Sequence, residues 1–284
     1  MRHILVIADR DTQPAHALKR AVALAGAADC RISLIGFTHE RLGAVDADSA
    51  QQLEDALLRQ RERQLRALAA AHGARIETQA VWEKHLAPWI SAQVVGLGAD
   101  LAIKTGHRSE SWHYTPTDWQ LIRDCPVPVL IVPERPWRKR GSVLAAVDLG
   151  TRLASKRALN LKVVRSAREF ADRLGSPLHL AYAVPFSQAL RDLGAVEPRT
   201  LVAAARAQGK TFEAQLAAAG IGIDGLHIKA GIPEKVLASV AADVQAQTVV
   251  LGCMGRKATA GKLIGNTAER ILRYVRTDVL ALKP

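Results

Sequence analysis

The sequence is written twice. An apolar stretch ending in aspartate, His3-Ile4-Leu5-Val6-Ile7-Ala8-Asp9, opens the chain and is echoed by Ser142-Val143-Leu144-Ala145-Ala146-Val147-Asp148. Self-similarity on a period of about 140 residues constrains the architecture more than any single motif, because both copies must satisfy one fold. Each opening strand is followed by an alanine- and leucine-rich helical stretch, Pro14–Ala28 or Ser155–Leu174, and then by a strand-like run, Arg31–Phe37 or Leu178–Val184. Helical segments at Asp48–His72 and Pro198–Ala219 lead to short strands at Arg75–Trp82 and Gly225–Ala230. A third helix, Ala87–Gly96 or Pro233–Val244, precedes a fourth strand, Asp100–Lys104 or Thr248–Leu251. A last helix, Pro116–Asp124 or Thr267–Val275, and closing strands at Val127–Val132 and Thr277–Leu282 complete each copy. Strands that alternate with helices pair in parallel, since each helix is the crossover between neighbours. The pattern predicts an α/β chain of two tandem domains, each an open parallel five-stranded sheet with helices on both faces.

The division falls at Pro133-Glu134-Arg135-Pro136-Trp137-Arg138-Lys139-Arg140-Gly141, a proline-rich, basic run directly before the second opening strand. This gives domains 1–137 and 138–284. The longest apolar runs, such as Val127–Val132, are strand-sized and too short to span a bilayer. The opening residues lack the apolar core and cleavage site of a secretory signal, so no membrane span and a cytoplasmic location are expected. Three cysteines stand far apart with no CxxC, which argues against a disulfide framework or structural zinc. Nine scattered histidines with no HExxH give no reason to expect a metal site. The net charge of +12 is spread along the chain, much of it as arginine in alanine-rich helical stretches. It reads as solvated faces, and a dedicated nucleic-acid partner is not expected.

In open parallel sheets ligands bind at the carboxyl ends of the strands, where strand order reverses. After the fourth strand of the second copy the chain runs Gly252-Cys253-Met254-Gly255-Arg256-Lys257-Ala258-Thr259-Ala260-Gly261-Lys262-Leu263-Ile264-Gly265-Asn266-Thr267, a G-x2-G-x9-G-N loop. Glycines at 252 and 255 allow sharp turning and close approach of backbone to a ligand. Gly265 stands where a helix begins, so free N–H groups and the helix dipole favour a phosphate there. Arg256, Lys257 and Lys262 add positive charge. The loop is neither a Walker A motif nor a G-x-G-x-x-G fingerprint.

The spacing resembles that of the universal stress protein family, whose ATP-binding members carry G-x2-G-x9-G followed by serine or threonine. The resemblance covers essentially the whole chain, in two copies. It implies a stress-response binding protein whose second domain holds ATP, with Mg2+ if it is bound, or another phosphorylated small molecule. Asp148 would contact the adenosine, Ala183 would lie beside the base, and Leu251 and Gly252 would flank the adenosine. Gly255, Gly265, Asn266 and Thr267 would hold phosphates. The resemblance also implies that the two domains dock through their last strands as an intramolecular pseudo-dimer, and Pro128 suits such an edge-type strand.

Competing roles stand beside these. Asp148 can cap the next turn or helix. Asn266 replaces the expected hydroxyl and, with Glu269 three residues on, forms a capping-box pattern. Cys253 reads either as a small packing residue or as a thiol activated by neighbouring cations. In the first copy Lys104, His107 and Thr115 stand opposite Gly252, Gly255 and Gly265, which reads as a degenerate site, although Lys104, His107 and Arg108 retain the charge for an anion. No Ser/His/Asp order or carboxylate pair points to dedicated catalysis. The alternatives are a weak ATPase or phosphotransferase, and a carrier of a larger ligand with an anionic head and apolar tail. Trp112, Trp119 and Trp137 would line such a tail.

Overall fold

His3–Ile7 forms β1 and is buried along its whole length, the pattern of a central strand covered by helices on both faces. The computed structural model describes all residues except 11–13, 27–29, 44, 74, 107–115, 138–139, 187–192, 195–196, 255, 259–260 and 264–265. At 116, 256–258, 261–263, 266–267, 269 and 272 it describes the backbone alone. The chain divides into two units, Met1–Pro136 and Trp137–Pro284.

In the first unit β1 is followed by α1 (His16–Ala25), β2 (Arg31–Thr38), α2 (Ala47–Ala70), β3 (Ile76–Trp82), α3 (Leu86–Gln93), β4 (Leu101–Gly106), α4 (Pro116–Asp124) and β5 (Val129–Pro133). The strands lie in the order β3-β2-β1-β4-β5, every described pair parallel. Leu5, Val6, Ile103 and Leu130 fill its core at 0–1% exposure, each worth about 1.5–3 kcal/mol of burial. The Asp46 carboxylate accepts from Ser49 N at 2.9 Å and starts the long α2, satisfying one of the orphan donors of its first turn.

The second unit contains β6 (Ser142–Ala146), α5 (Ala154–Leu174), β7 (Leu178–Val184), α6 (Pro198–Ala218), β8 (Gly225–Ala230), α7 (Pro233–Asp243) and β9 (Ala246–Gly252). Beyond these lie β10 (Arg256–Ala258), β11 (Gly261–Leu263), α8 (Asn266–Tyr274) and β12 (Asp278–Leu282). Its main strands run β12-β9-β6-β7-β8, again parallel. Prolines open α6 and α7, where a missing N–H costs nothing. Gly175 closes α5 in the left-handed conformation at φ 58°, as helix ends favour.

One element departs from the expected loop. Residues after β9 fold back as the antiparallel pair β10–β11, with Arg256 opposite Leu263, Lys257 opposite Lys262 and Ala258 opposite Gly261. Short strands of three residues carry too weak a periodic signal to be read from sequence.

Candidate functional site

Strand order reverses between β6 and β9 in the second unit: β7 and β8 lie to one side of β6, β9 and β12 to the other. The crevice outside the carboxyl ends of two such strands is the ligand position of open α/β sheets. Asp148 follows β6 by two residues and Gly252 ends β9.

Asp148 is fixed by its backbone. Its N–H donates to Asn160 Oδ1 at 3.0 Å, and its carbonyl accepts from Asn160 Nδ2 at 2.8 Å. Asn160 is a buried residue of α5, so both halves of its amide satisfy the strand end. The Asp148 carboxylate is half-exposed, with Lys156 Nζ at 3.5 Å; an exposed pair of this kind contributes little to stability. Asp148 does not cap α5, whose N-cap is Leu153 without a side-chain hydrogen bond.

Tyr182, on β7, is buried with its phenol oxygen accepting from the Gly150 N–H. Burial first, and then the Asp148 charge, raise its pKa above the ordinary 10.0. A Cβ at Gly150 would lie 2.5 Å from that oxygen, which is why only glycine fits. Ala183 is buried beside Tyr182 and is registered with Lys229 of β8.

Leu251 is buried. A Cβ at Gly252 would stand 2.6 Å from Leu159 Cδ2, so α5 packs directly on the end of β9. Packing explains this glycine on the helix side, a cause distinct from approach to a ligand. Cys253 N–H donates to Leu282 O at 2.7 Å, and burial pushes its thiol up to about 12. It is a packing residue, since a thiol protonated at neutral pH is not activated. Asn266 and Thr267 are the first two residues of α8. Gly255 and Gly265 lie outside the described residues, as do the side chains of Asn266, Thr267 and Glu269.

The first unit reverses its strand order between β1 and β4, and there the crevice is bridged. Thr105 Oγ1 donates to Asp9 Oδ2 at 2.9 Å and accepts from Ala17 N at 3.2 Å. Arg61, from α2, donates to the carbonyls of Asp9 and Arg10. Sheet register corrects the alignment of the two copies. Thr105 faces Val132 on β5 as Gly252 faces Leu282 on β12, so Thr105 rather than Lys104 is the counterpart of Gly252. Lys104 matches Leu251, and its ammonium is buried 2.8 Å from Asp118 Oδ1. Lys104 is therefore engaged within the fold rather than held ready for an anion. His107, Arg108 and Thr115 lie outside the described residues.

The universal stress protein family model matches residues 1–133 and again 140–283. The chain belongs to the universal stress protein family. Universal stress protein E of Escherichia coli strain K12 is 31% identical over 297 residues, covering 100% of this chain and 94% of that protein. The protein of the same name from Photorhabdus laumondii is 29% identical over 300 residues, covering 100% and 95%. A crystal structure of a functionally unknown protein from Pseudomonas aeruginosa PAO1 is similar at TM-score 0.74 and 31% identity, covering 100% of this chain and 93% of that one. A universal stress protein from Archaeoglobus fulgidus DSM 4304, 16% identical with TM-score 0.65 over 99% and 98% of the two chains, shares the fold.

This universal stress protein thus carries the family unit twice, with a bridged crevice in the first copy. Asn160 and Tyr182 belong to the crevice of the second copy but were not among the residues expected from sequence. Their signals were modest: one asparagine between Leu159 and Leu161 on an apolar helix face, and one tyrosine inside Leu178–Val184. Among the described residues no group of three or more His, Cys, Asp or Glu could hold a metal ion.

Proposed function

We propose that the second unit binds ATP, or another phosphorylated small molecule, at the β6–β9 switch point, and that occupancy serves stress signalling or protection. The observation that carries this is the contrast between the two crevices. Asp148 stands at its strand end with a half-exposed carboxylate and Gly252 beside it, whereas Asp9 is tied to Thr105. Asp148 would meet the adenosine, with Ala183, Leu251 and Gly252 around it. Gly255, Gly265, Asn266 and Thr267 would take the phosphates at the start of α8, where helix N–H groups and dipole favour an anion. Mg2+ would accompany the phosphates.

The β10–β11 register supports the reading. Lys257 and Lys262 are backbone register partners in a two-stranded pair, which brings two cationic residue types to one point of the loop. The proposal locates the chain in the cytoplasm; among the described residues no helix is long and apolar enough to cross a membrane. Native mass spectrometry of the purified chain, before and after denaturation, tests the ligand class. Release of a nucleotide mass is expected; a lipid-like mass would instead favour a carrier.

A further inference from the structure

We propose a second anion site, in the first unit, at the amino-terminal ends of β1, β2 and β3, shaped for an oligophosphate. A cavity of about 720 Å3 opens there, lined by Arg2, His3, Arg31, Arg75 and Glu77 among others. It lies at the end of the strands opposite the switch point, so it is independent of the nucleotide reading for the second unit.

Sheet register builds the site. His3 is paired with Arg31, and Ile32 with Ile76, so Arg75, one residue before Ile76, comes across from Arg31. Neighbouring strands are about 4.8 Å apart, and like charges at opposed positions destabilise a sheet. Arg2, one residue before β1, adds a third guanidinium, and the Glu77 carboxylate lines the cavity with them. Among the described residues, three exposed arginines stand against two carboxylates, Glu77 and Asp100, which leaves positive charge in excess at the rim of a cavity.

The polar contacts fix the Arg31 guanidinium and the backbone that carries Arg2. Asp100 Oδ2 accepts from Arg2 N at 2.5 Å and His3 N at 3.1 Å, clamping the entry to β1. Arg31 Nη2 lies 3.0 Å from His3 Nδ1 and 3.2 Å from Leu97 O. His3 Nε2 is 2.8 Å from Ser33 Oγ, which in turn reaches Glu77 Oε2 at 3.5 Å. His3 Nδ1 also lies 3.0 Å from Leu97 O, so the Leu97 carbonyl and the Arg31 guanidinium meet at one ring nitrogen. Burial and then Arg31 lower the His3 pKa, against the Leu97 and Gly98 backbone and Glu77, which raise it. Guanidinium groups match phosphoryl oxygens in bidentate fashion, and three of them around one cavity suit a chain of phosphates better than a single carboxylate.

The test is calorimetric titration of the full chain with tripolyphosphate at 0.15 M salt, about the physiological ionic strength, with glycerol phosphate as a second arm. Arg31→Gln/Arg75→Gln is expected to weaken tripolyphosphate binding about ten-fold or more, the scale of losing charge-assisted contacts. Arg75→Gln alone, which leaves the Arg31 contacts intact, is expected to weaken it in the same direction. Arg165→Gln, an exposed arginine of the second unit, should leave it unchanged, all variants being compared in a Gly265→Val background that silences the second unit's phosphate loop. Glycerol phosphate binding at the same site would mean that it takes the phosphoryl end of a larger molecule; its failure would mean that the phosphate chain itself is read. Saturation should also raise the NMR titration midpoint of His3, because the anion offsets Arg31, Arg2 and Arg75 while Glu77 and Asp100 stay ionised. Equal binding by Arg31→Gln/Arg75→Gln and the Gly265→Val parent, or an equal loss in Arg165→Gln, would overturn the proposal.

Discussion

Thr105 donates to Asp9 across the switch point of the first unit, Oγ1 to Oδ2 at 2.9 Å, where the second unit sets Gly252 near Asp148. The same hydroxyl accepts from Ala17 N in α1, so one side chain joins two strand ends and a helix. Thr105→Val keeps the shape and leaves the buried Ala17 N–H and the part-buried Asp9 carboxylate without this partner. A loss of about 1–3 kcal/mol is expected, measured by urea denaturation, with nucleotide binding unchanged.

The Lys104–Asp118 pair predicts a non-additive cycle. Asp118 matches Ala268 in the second unit, since Cys125 closes α4 on Leu121 as Val275 closes α8 on Ile271. The second unit therefore carries Leu251 and Ala268, both buried, where the first carries a buried ion pair. Asp118→Ala alone strands a buried ammonium and should cost about 3–5 kcal/mol. Adding Lys104→Leu should recover most of it, because replacing both partners with apolar groups is often neutral. Denaturation of the two single variants and the double variant gives the coupling directly.

The fold was legible because each copy reports the other. Leu178–Val184, Gly225–Ala230 and Pro116–Asp124 were bounded from sequence as the structure has them, since apolar runs, glycine and proline mark their ends. The β10–β11 pair was not, because three-residue strands have no period. The crevice was legible only as a motif. Its support comes from Asn160 and Tyr182, which act through hydrogen bonds between residues 12 positions or more apart. Such partnerships are set by how α5 and β7 pack against β6, and spacing in one sequence does not encode them. The offset of Lys104 by one residue has the same origin: register is fixed by sheet pairing, while glycine counting across a loop of altered length is not.

Stability should fall in two stages on acidification. His3, His16 and His227 are all lowered from 6.5, burial being the largest cause in each. A lowered histidine means the unfolded chain binds protons first, so the stability held above pH 6.5 declines as pH falls through and below that value. Asp46 is lowered by the Ser49 hydrogen bonds. Glu62 and Asp100 are lowered although burial opposes it, through Thr78, Arg66 and Ala80 in one case and the Arg2 and His3 N–H groups in the other. These carboxylates contribute above their ordinary 3.8–4.5, and that contribution is lost below it. Urea midpoints taken from pH 8 to pH 3 should show a decline beginning near 6.5 and a steeper one near 4. A flat profile between pH 7 and pH 5 would remove the histidine contribution.

Cys30, Cys125 and Cys253 are buried, and Cys253 is held at about 12. An aromatic disulfide reagent at pH 8 should label them only as fast as the chain unfolds, and all three at once in denaturant. Rapid native labelling at Cys253 would restore the redox reading.

Asymmetry between the two crevices is most directly tested by calorimetric titration of the intact chain with Mg-ATP. In the Arg31→Gln/Arg75→Gln background, which removes the oligophosphate site, one nucleotide per chain is expected, lost in Gly265→Val and weakened in Asp148→Asn, while Asp9→Asn leaves it unchanged. Two nucleotides per chain, or full binding by Gly265→Val, would contradict it.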